Sequence, residues 1–267
     1  MKAITAIGIG FCIAAMLMAA MMEGTPIPAF FVIPAWMVVF CGTAGATIAG
    51  TTMDRFKTVP SLYKIAMSPP ELLFGGRVKM LVGFAERARR EGLLALEDEI
   101  DELDDEFAKK GLQLVVDGTD PDLVREILDN EIDGMMTRHH HGQQIFEKAA
   151  GYAPTMGILG TVMSLVHVLQ NLSNPAILGP AISGAFIATL MGVGSANVVY
   201  YPVATKLKEI SGEEAELRTL TVEGILAIQA GDNPRVVEDK LMAFVPPEER
   251  EDEDTGSGSK PKLAEAA

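Results

Sequence analysis

The distribution of charged residues constrains this 267-residue chain more than any other feature of its sequence. Residues 3–53 contain one charged side chain, Glu23, and residues 149–205 contain no Asp, Glu, Lys or Arg. A water-soluble fold of this length exposes too much surface to leave such long stretches uncharged. The two stretches therefore exclude an ordinary soluble globular protein and predict a membrane protein.

Each uncharged stretch has room for two membrane-spanning helices, because about 20 apolar residues in a helix cover the roughly 30 Å of a bilayer core. Asn, Ser, Gly and Pro residues between 171 and 180 predict the turn that separates the last two spans. The predicted spans are residues 3–22, 29–53, 149–169 and 181–203. The first span is too long for a signal-peptide core and lacks an A-x-A cleavage site before Glu23, so we expect it to be retained.

The positions of the basic residues predict the orientation. All 22 Lys and Arg lie at Lys2, in residues 54–148 or in residues 204–267, and the two short loops between spans have none. Both termini and the large loop are therefore expected in the cytoplasm. The large loop of residues 54–148 and the tail of residues 204–267 each contain more acidic than basic residues. This balance favours a protein partner with basic patches over nucleic acid or an anionic lipid surface.

The cytoplasmic segments have helical patterns. Apolar residues at 96, 100, 103 and 107, with acidic residues between them, predict one amphipathic helix that ends near Gly118. Asp120 and Pro121 form a helix start, and the helix is expected to continue into the third span with a bend near Pro154. The loop of residues 54–148 and the tail of residues 204–245 are thus predicted helical, with helices over 206–230 and from Asn233-Pro234. Residues 246–267 are predicted to be a disordered acidic tail.

The fold class is accordingly all-α, a polytopic membrane protein with four transmembrane helices and a helical cytoplasmic region. None of the spans contains a carboxylate, the usual carrier of protons or sodium through a membrane. A membrane-embedded enzyme or a self-sufficient transporter is expected to need such acids, so neither is favoured, and we expect no enzyme activity. Small residues repeat at every fourth position and predict close helix packing or subunit contacts: Gly42, Ala46, Gly50, Gly184, Ala188, Gly192 and Ala196.

Metal sites and disulfides are not expected. Cys12 and Cys41 both lie inside predicted spans, which excludes a disulfide framework. The consecutive histidines at 139–141 point about 100° apart on a helix and cannot converge on one metal ion.

Three separated motifs carry a family resemblance. Residues 150–163 read AGYAPTMGILGTVM, residues 185–192 read AFIATLMG and are followed by Pro202, and residues 89–97 read RREGLLALE. Together they resemble the MotA family of flagellar motor stator subunits, from Met1 to about Pro247. The resemblance implies a stator of the bacterial cytoplasmic (inner) membrane, in which a pentamer of such chains surrounds two copies of a MotB-like peptidoglycan-binding partner. The partner would supply the missing membrane aspartate, and flow of H+ or Na+ would turn the ring against the rotor protein FliG.

The same resemblance assigns expected roles to single residues. Arg89 and Glu97 fall on the charges that contact the rotor, with Arg90 as the adjacent candidate. From the residues alone, solvated helix charges would be the favoured interpretation of this pair. Pro154 and Pro202 fall on two hinge prolines, which as structure are helix kinks. Thr189 falls on a threonine that faces the ion pathway.

Thr155 and Thr161 are further pathway candidates, although their hydroxyls could instead bond to the preceding helical turn or to a neighbouring helix. In the resemblance, sodium-driven relatives tend to have threonine at the position of Thr161. One hydroxyl supplies only one ligand to a sodium ion, so both H+ and Na+ stay open as the coupling ion. No cofactor is expected apart from the transported ion.

Two alternatives remain. TolQ/ExbB-like energisers of envelope transport share the ion-driven design, but three spans rather than four are expected of them. A purely structural scaffold would be insensitive to charge reversal at Arg89 or Glu97.

Overall fold

The computed structural model describes residues 4–247 and residue 250, and the regular elements in this part of the chain are all helical. Short 3-10 segments lie at Ile27–Phe30, Leu93–Leu96 and Met242–Phe244. The helices are α1 Ile4–Met22, α2 Ile33–Ala49, α3 Met53–Phe56, α4 Val59–Met67, α5 Phe74–Glu91, α6 Glu97–Asp101, α7 Glu106–Val116, α8 Pro121–Gln170, α9 Pro175–Ala230 and α10 Pro234–Leu241. The chain divides into two compact units, one of residues up to 70 and 137–210, the other of residues 71–136 and from 211 onward.

The first unit contains the apolar helices. By length and composition, α1, α8 and α9 could each cross a membrane, whereas α2 is apolar but only 17 residues long. A span needs about 17–25 residues, so α2 lies at the short end of that range. It is shorter than the predicted span of residues 29–53 because the 3-10 segment Ile27–Phe30 precedes it and Gly50 ends it. Pro34 occupies the first turn of α2, where a missing N–H removes no helical hydrogen bond.

α8 begins where the sequence predicts a helix start. The Asp120 side chain accepts a hydrogen bond from the N–H of Asp122 at 3.0 Å, and Pro121 is the first helical residue. The helix then runs for 50 residues without interruption, through Pro154, and ends at Gln170. Residues predicted to belong to the cytoplasmic loop and to the third span therefore form one helix.

The turn before α9 is shorter than predicted. It occupies residues 171–174, and α9 begins at Pro175 rather than near residue 181. Pro175 needs no hydrogen bond at the first helical position, and Pro180 lies inside the helix, which a helix in a membrane protein tolerates. α9 continues past residue 203 to Ala230 and includes a π-helical segment at Ala196–Tyr200.

The second unit has its own hydrophobic core, formed by α5, α7, α10 and the parts of α8 and α9 that belong to this unit. Leu81, Leu112, Leu128, Leu220 and Ile225 are completely buried in it. Full burial of one such side chain contributes roughly 1.5–3 kcal/mol to stability. This unit therefore has an apolar core that stabilises the packing of its helices.

The single helix predicted across residues 96–107 is wrong. Leu93–Leu96 is a 3-10 segment, α6 ends at Asp101, and α7 starts only at Glu106. The helix restarts because Asp105 acts as an N-cap, its side chain accepting from the N–H groups of Phe107 at 2.9 Å and Ala108 at 3.0 Å. The apolar residues of the pattern are nevertheless inside, since Leu96, Ile100 and Phe107 are buried.

Three helix ends outside the predicted spans confirm the predictions from sequence. Gly118 adopts a φ of +75° just after α7, and Gly231 a φ of +73° just after α9, a conformation that favours glycine. The Asn233 side chain accepts from the N–H of Arg235 at 3.1 Å and caps α10. The predicted acidic tail of residues 246–267 lies outside the described residues except for 246, 247 and 250.

Candidate functional site

The closest approach between α8 and α9 occurs at glycines. A Cβ atom on Gly192 would lie 2.5 Å from the carbonyl oxygen of Ala153 and 2.9 Å from the Cα of Gly157. A Cβ atom on Gly157 would lie 2.9 Å from the carbonyl oxygen of Ala188. No larger residue fits at these positions without moving the backbone. The small-residue contact predicted for Ala188 and Gly192 is therefore confirmed.

This contact brings two of the three predicted pathway threonines together. The Thr161 and Thr189 Oγ1 atoms are 2.5 Å apart, and either hydroxyl can be the donor. Thr161 Oγ1 also lies 3.0 Å from the carbonyl oxygens of Gly157 and Ala185. Thr161 Oγ1 thus lies within hydrogen-bond distance of three other oxygen atoms in a half-buried contact between the helices. Oxygen is the ligand type that hard cations prefer.

Thr155 is not part of this group. Its Oγ1 donates to the carbonyl oxygen of Tyr152 at 2.7 Å, and the side chain is exposed on the single chain. Six residues before Thr161, it lies about 120° around the helix and about 9 Å along it. Its hydrogen bond is the local one expected under the alternative interpretation of these threonines. The bonds of Thr161 to Gly157 in its own helix and to Ala185 and Thr189 in the neighbouring helix also fit that alternative.

The two candidate hinge prolines occupy different settings. Pro154 lies inside α8, next to the Ala153 carbonyl that approaches Gly192. Pro202 lies two residues after the end of the π-helical segment, and between them the N–H of Tyr201 bonds to the carbonyl oxygen of Ala196. A proline beside a π-helical turn is a common place for a helix to bend. The sequence analysis missed this segment and a second one at Met37–Cys41, because π-helical turns have no compositional signal.

The candidate rotor-contact charges lie on both sides of a sharp turn. Arg89 and Arg90 are exposed in the last turn of α5, and Glu97 is exposed as the first residue of α6. Gly92 lies between them with a φ of +89°, which allows the chain to reverse. Within the described residues, no ion pair involves any of these three charges.

Arg87 and Glu99, which the sequence analysis missed, join the same two helices. The Arg87 guanidinium forms an ion pair with Glu99 and a weaker one with Glu91 at 3.3 Å. Hydrogen bonding to Glu99 is the main reason that the pKa of Arg87 is raised above its usual value. The spacing of Arg87 and Glu91, four residues apart on a helix, was the available signal. Nothing local pointed to Glu99.

Comparisons with known proteins identify the family of this chain. A model described as the MotA/TolQ/ExbB proton channel family matches residues 99–219. Motility protein A of Bacillus subtilis (strain 168) is 37% identical over 245 residues, which cover 91% of each chain. The chain belongs to the MotA/TolQ/ExbB family.

Two further similarities agree with this membership. Motility protein A of Borreliella burgdorferi is also 37% identical, over 91% of this chain and 93% of that one. The structure of the flagellar MotAB stator complex from Bacillus subtilis matches with a TM-score of 0.86 at 36% identity, covering 92% of this chain and 98% of that chain. The all-α fold class predicted from sequence is confirmed by this match.

Proposed function

We propose that the chain is the MotA-like subunit of a flagellar stator, which forms an ion channel with a MotB-like partner and converts ion flow into torque on the rotor. The observation that carries the proposal is similarity over nearly the whole chain, both to proteins named Motility protein A and to a MotAB stator complex. This similarity favours a stator over a TolQ/ExbB-like energiser. Energisers belong to the same family, but the relatives cited here are named as motility proteins.

The ion route that we propose needs both chains. The predicted spans of this chain contain no carboxylate, so a membrane carboxylate of the partner would bind and release the ion. The hydroxyls of Thr161 and Thr189 would line the route beside it. A partner carboxylate can carry H+, and together with the Thr161 hydroxyl and the three oxygens beside it this carboxylate could also bind Na+.

The mechanical step that we propose uses the two long helices. α8 and α9 each contain an apolar part and a cytoplasmic part, so a movement at membrane depth can be carried along a helix. Pro154 and Pro202 would be the positions at which these helices bend when the ion binds. Arg89, Arg90 and Glu97 would then push against complementary charges on FliG.

The assembly that we propose is a pentamer of this chain around two partner chains in the bacterial inner membrane, with both termini in the cytoplasm and no enzymatic activity. α1 supports an assembly of this kind, because none of its residues is buried in the single chain and Phe11 is 74% exposed. Such a surface needs lipid or other subunits around it.

The experiment is complementation of a flagellated strain that lacks its own stator. This chain, its partner or both are expressed, and swimming speed is measured with and without sodium. We expect motility only when both chains are present. Motility without sodium would identify H+ as the coupling ion and motility only with sodium would identify Na+. A strain with both proteins correctly inserted in the membrane that does not swim in either medium would refute the stator function.

A further inference from the structure

A basic cavity in the first unit has no part in the mechanism above. It has a volume of about 330 Å³ and opens where α2 ends, beside α8. This is room for about ten water molecules. Six polar side chains and no carboxylate line it: Thr51, Thr52, Arg55, His141, Gln144 and Lys148. The cavity is basic although the predicted loop of residues 54–148, which contains its charged residues, is acidic overall.

The cations of the cavity are available to a ligand. Within the described residues, neither Arg55 nor Lys148 forms an ion pair. Lys148 donates to the carbonyl oxygen of Gly50 at 2.6 Å, which holds the ammonium group at the cavity and leaves two of its three N–H donors for other acceptors. The cavity is therefore lined by two positive charges, those of Arg55 and Lys148, that no carboxylate of the described residues neutralises.

Two further polar atoms point to a ligand. Thr51 Oγ1 and His141 Nδ1 are buried and have no hydrogen-bond partner in the described part of the chain. Buried polar atoms in folded proteins almost always have a partner. A hydroxyl and an imidazole N–H beside two cations suit an anion that accepts several hydrogen bonds.

The position of the cavity matches the depth of lipid phosphates. Gly50 follows the last residue of apolar α2, and Lys148 immediately precedes the uncharged residues 149–205. The cavity thus lies at the predicted cytoplasmic boundary of two spans. Basic pockets between membrane helices at this boundary bind anionic headgroups.

We propose that this cavity binds a phosphate group, with Arg55 and Lys148 supplying the charge and Thr51 and His141 supplying hydrogen bonds. The phosphate comes either from the headgroup of an anionic phospholipid or from inorganic phosphate in the cytoplasm. In both cases binding joins the end of α2 to α8 through a group that neither helix provides.

The test uses the full chain purified with its partner, first in mixed micelles that contain phosphatidylglycerol or phosphatidylcholine. Native mass spectrometry measures how much of each lipid is retained by the wild type, R55Q and K148Q. The matched control is K57Q, since Lys57 is an exposed lysine two residues from Arg55 that pairs with Asp54 outside the cavity. For a lipid headgroup we expect preferential retention of phosphatidylglycerol, reduced about fivefold by R55Q or K148Q and unchanged by K57Q.

A second arm distinguishes inorganic phosphate. The thermal unfolding midpoint is measured in an uncharged detergent, in phosphate and in chloride of equal ionic strength. Inorganic phosphate is identified as the ligand if phosphate raises the unfolding midpoint of the wild type but not that of R55Q or K148Q. In that case the first arm should show no preference for phosphatidylglycerol. If the glutamine variants do not fold, the wild type, R55K and K148R are compared in both arms. The proposal is overturned if the wild type shows neither a preference for phosphatidylglycerol nor a phosphate-specific rise of the unfolding midpoint. It is also overturned if the wild type, R55Q and K148Q show these effects equally.

Discussion

At the residue scale, Arg87 determines which charges near the α5–α6 turn are available to another protein. Its ion pairs with Glu99 and Glu91 neutralise it and hold the turn. Arg89, Arg90 and Glu97 remain exposed. Exposed charges of this kind contribute little to stability, roughly 0–1 kcal/mol for a pair. Their substitution therefore tests interaction with the rotor rather than folding.

We predict that R89E and E97K each reduce swimming speed by more than half in the complemented strain, because each places a like charge against the rotor surface. Protein level and membrane insertion are expected to be unchanged. The control is E238K, which reverses an exposed charge on α10 that has no ion pair in the described residues and should leave speed unchanged. Equal speeds in R89E, E97K and the wild type would instead support a structural scaffold.

The threonine pair is predicted to act as a unit. T161V and T189V each remove the same contact between hydroxyls, so the double variant should lose less stability than the two single losses added together. Hydrogen bonds between membrane helices contribute roughly 0.6–2 kcal/mol, which sets the expected coupling energy. Thermal unfolding of the purified complex measures the cycle.

T155V provides the matched control for this cycle, since the Thr155 hydroxyl bonds within its own helix. It should show no coupling to T189V. Additive losses for T161V and T189V would contradict the pairing of these two hydroxyls.

The Asp105 carboxylate is predicted to make stability depend on acid pH. Burial opposes its charged form, but hydrogen bonds from the N–H of Ala108 and from Arg77 outweigh burial and lower its pKa below the usual value. Because the folded-state pKa is the lower one, this contribution is complete above the unfolded pKa of about 4 and is lost as pH falls through the folded value.

The measurement is the unfolding midpoint of the wild type, D105N and D104N between neutral pH and about pH 3. D105N keeps an N-cap oxygen but loses the charge, so its stability should fall less steeply with acid. D104N changes an exposed neighbour and should follow the wild type. An acid dependence of D105N as steep as that of the wild type would show that Asp105 is not the responsible group.

At the element scale, helix starts were predictable from sequence, whereas interruptions were not. Asp120-Pro121 and Asn233-Pro234 place a capping side chain next to a first-turn proline, so the signal is entirely local. The break before α7 depends on Asp105, whose carboxylate also pairs with Arg77, 28 residues away in the chain. A periodic apolar pattern continues across such a break, because the same side chains stay buried on both sides.

The glycine contact between α8 and α9 gives the prediction for this scale. G192A places a methyl group against the Ala153 carbonyl oxygen, and such overpacking costs about 1–3 kcal/mol. We expect a lower unfolding midpoint and lost motility. G151A, on the same helix as Gly157 with nothing within 4 Å of its new Cβ, should be neutral or slightly stabilising. Equal unfolding midpoints for G192A and G151A would contradict the close approach of the two helices.

At the scale of the whole molecule, the uncharged stretches and three motifs were enough to predict the fold class and the family. They could not show that Thr161 meets Thr189 while Thr155 points elsewhere, because that outcome depends on the rotation of α8 against α9. Nor could they show that, of the three arginines before the turn, Arg87 is the one that forms an ion pair. Its partner Glu99 comes close only because the chain turns at Gly92. Residues that act through contacts between distant parts of the chain need the structure.

The central claim is that torque comes from ion flow along a route that this chain builds with its partner. The most direct measurement is the rotation speed of tethered cells that carry both proteins as their only stator, while the gradients of H+ and Na+ are reduced in turn. The account predicts that speed falls to zero with the gradient of one of these ions and recovers when that gradient is restored. Rotation that continues after both gradients are abolished would contradict it.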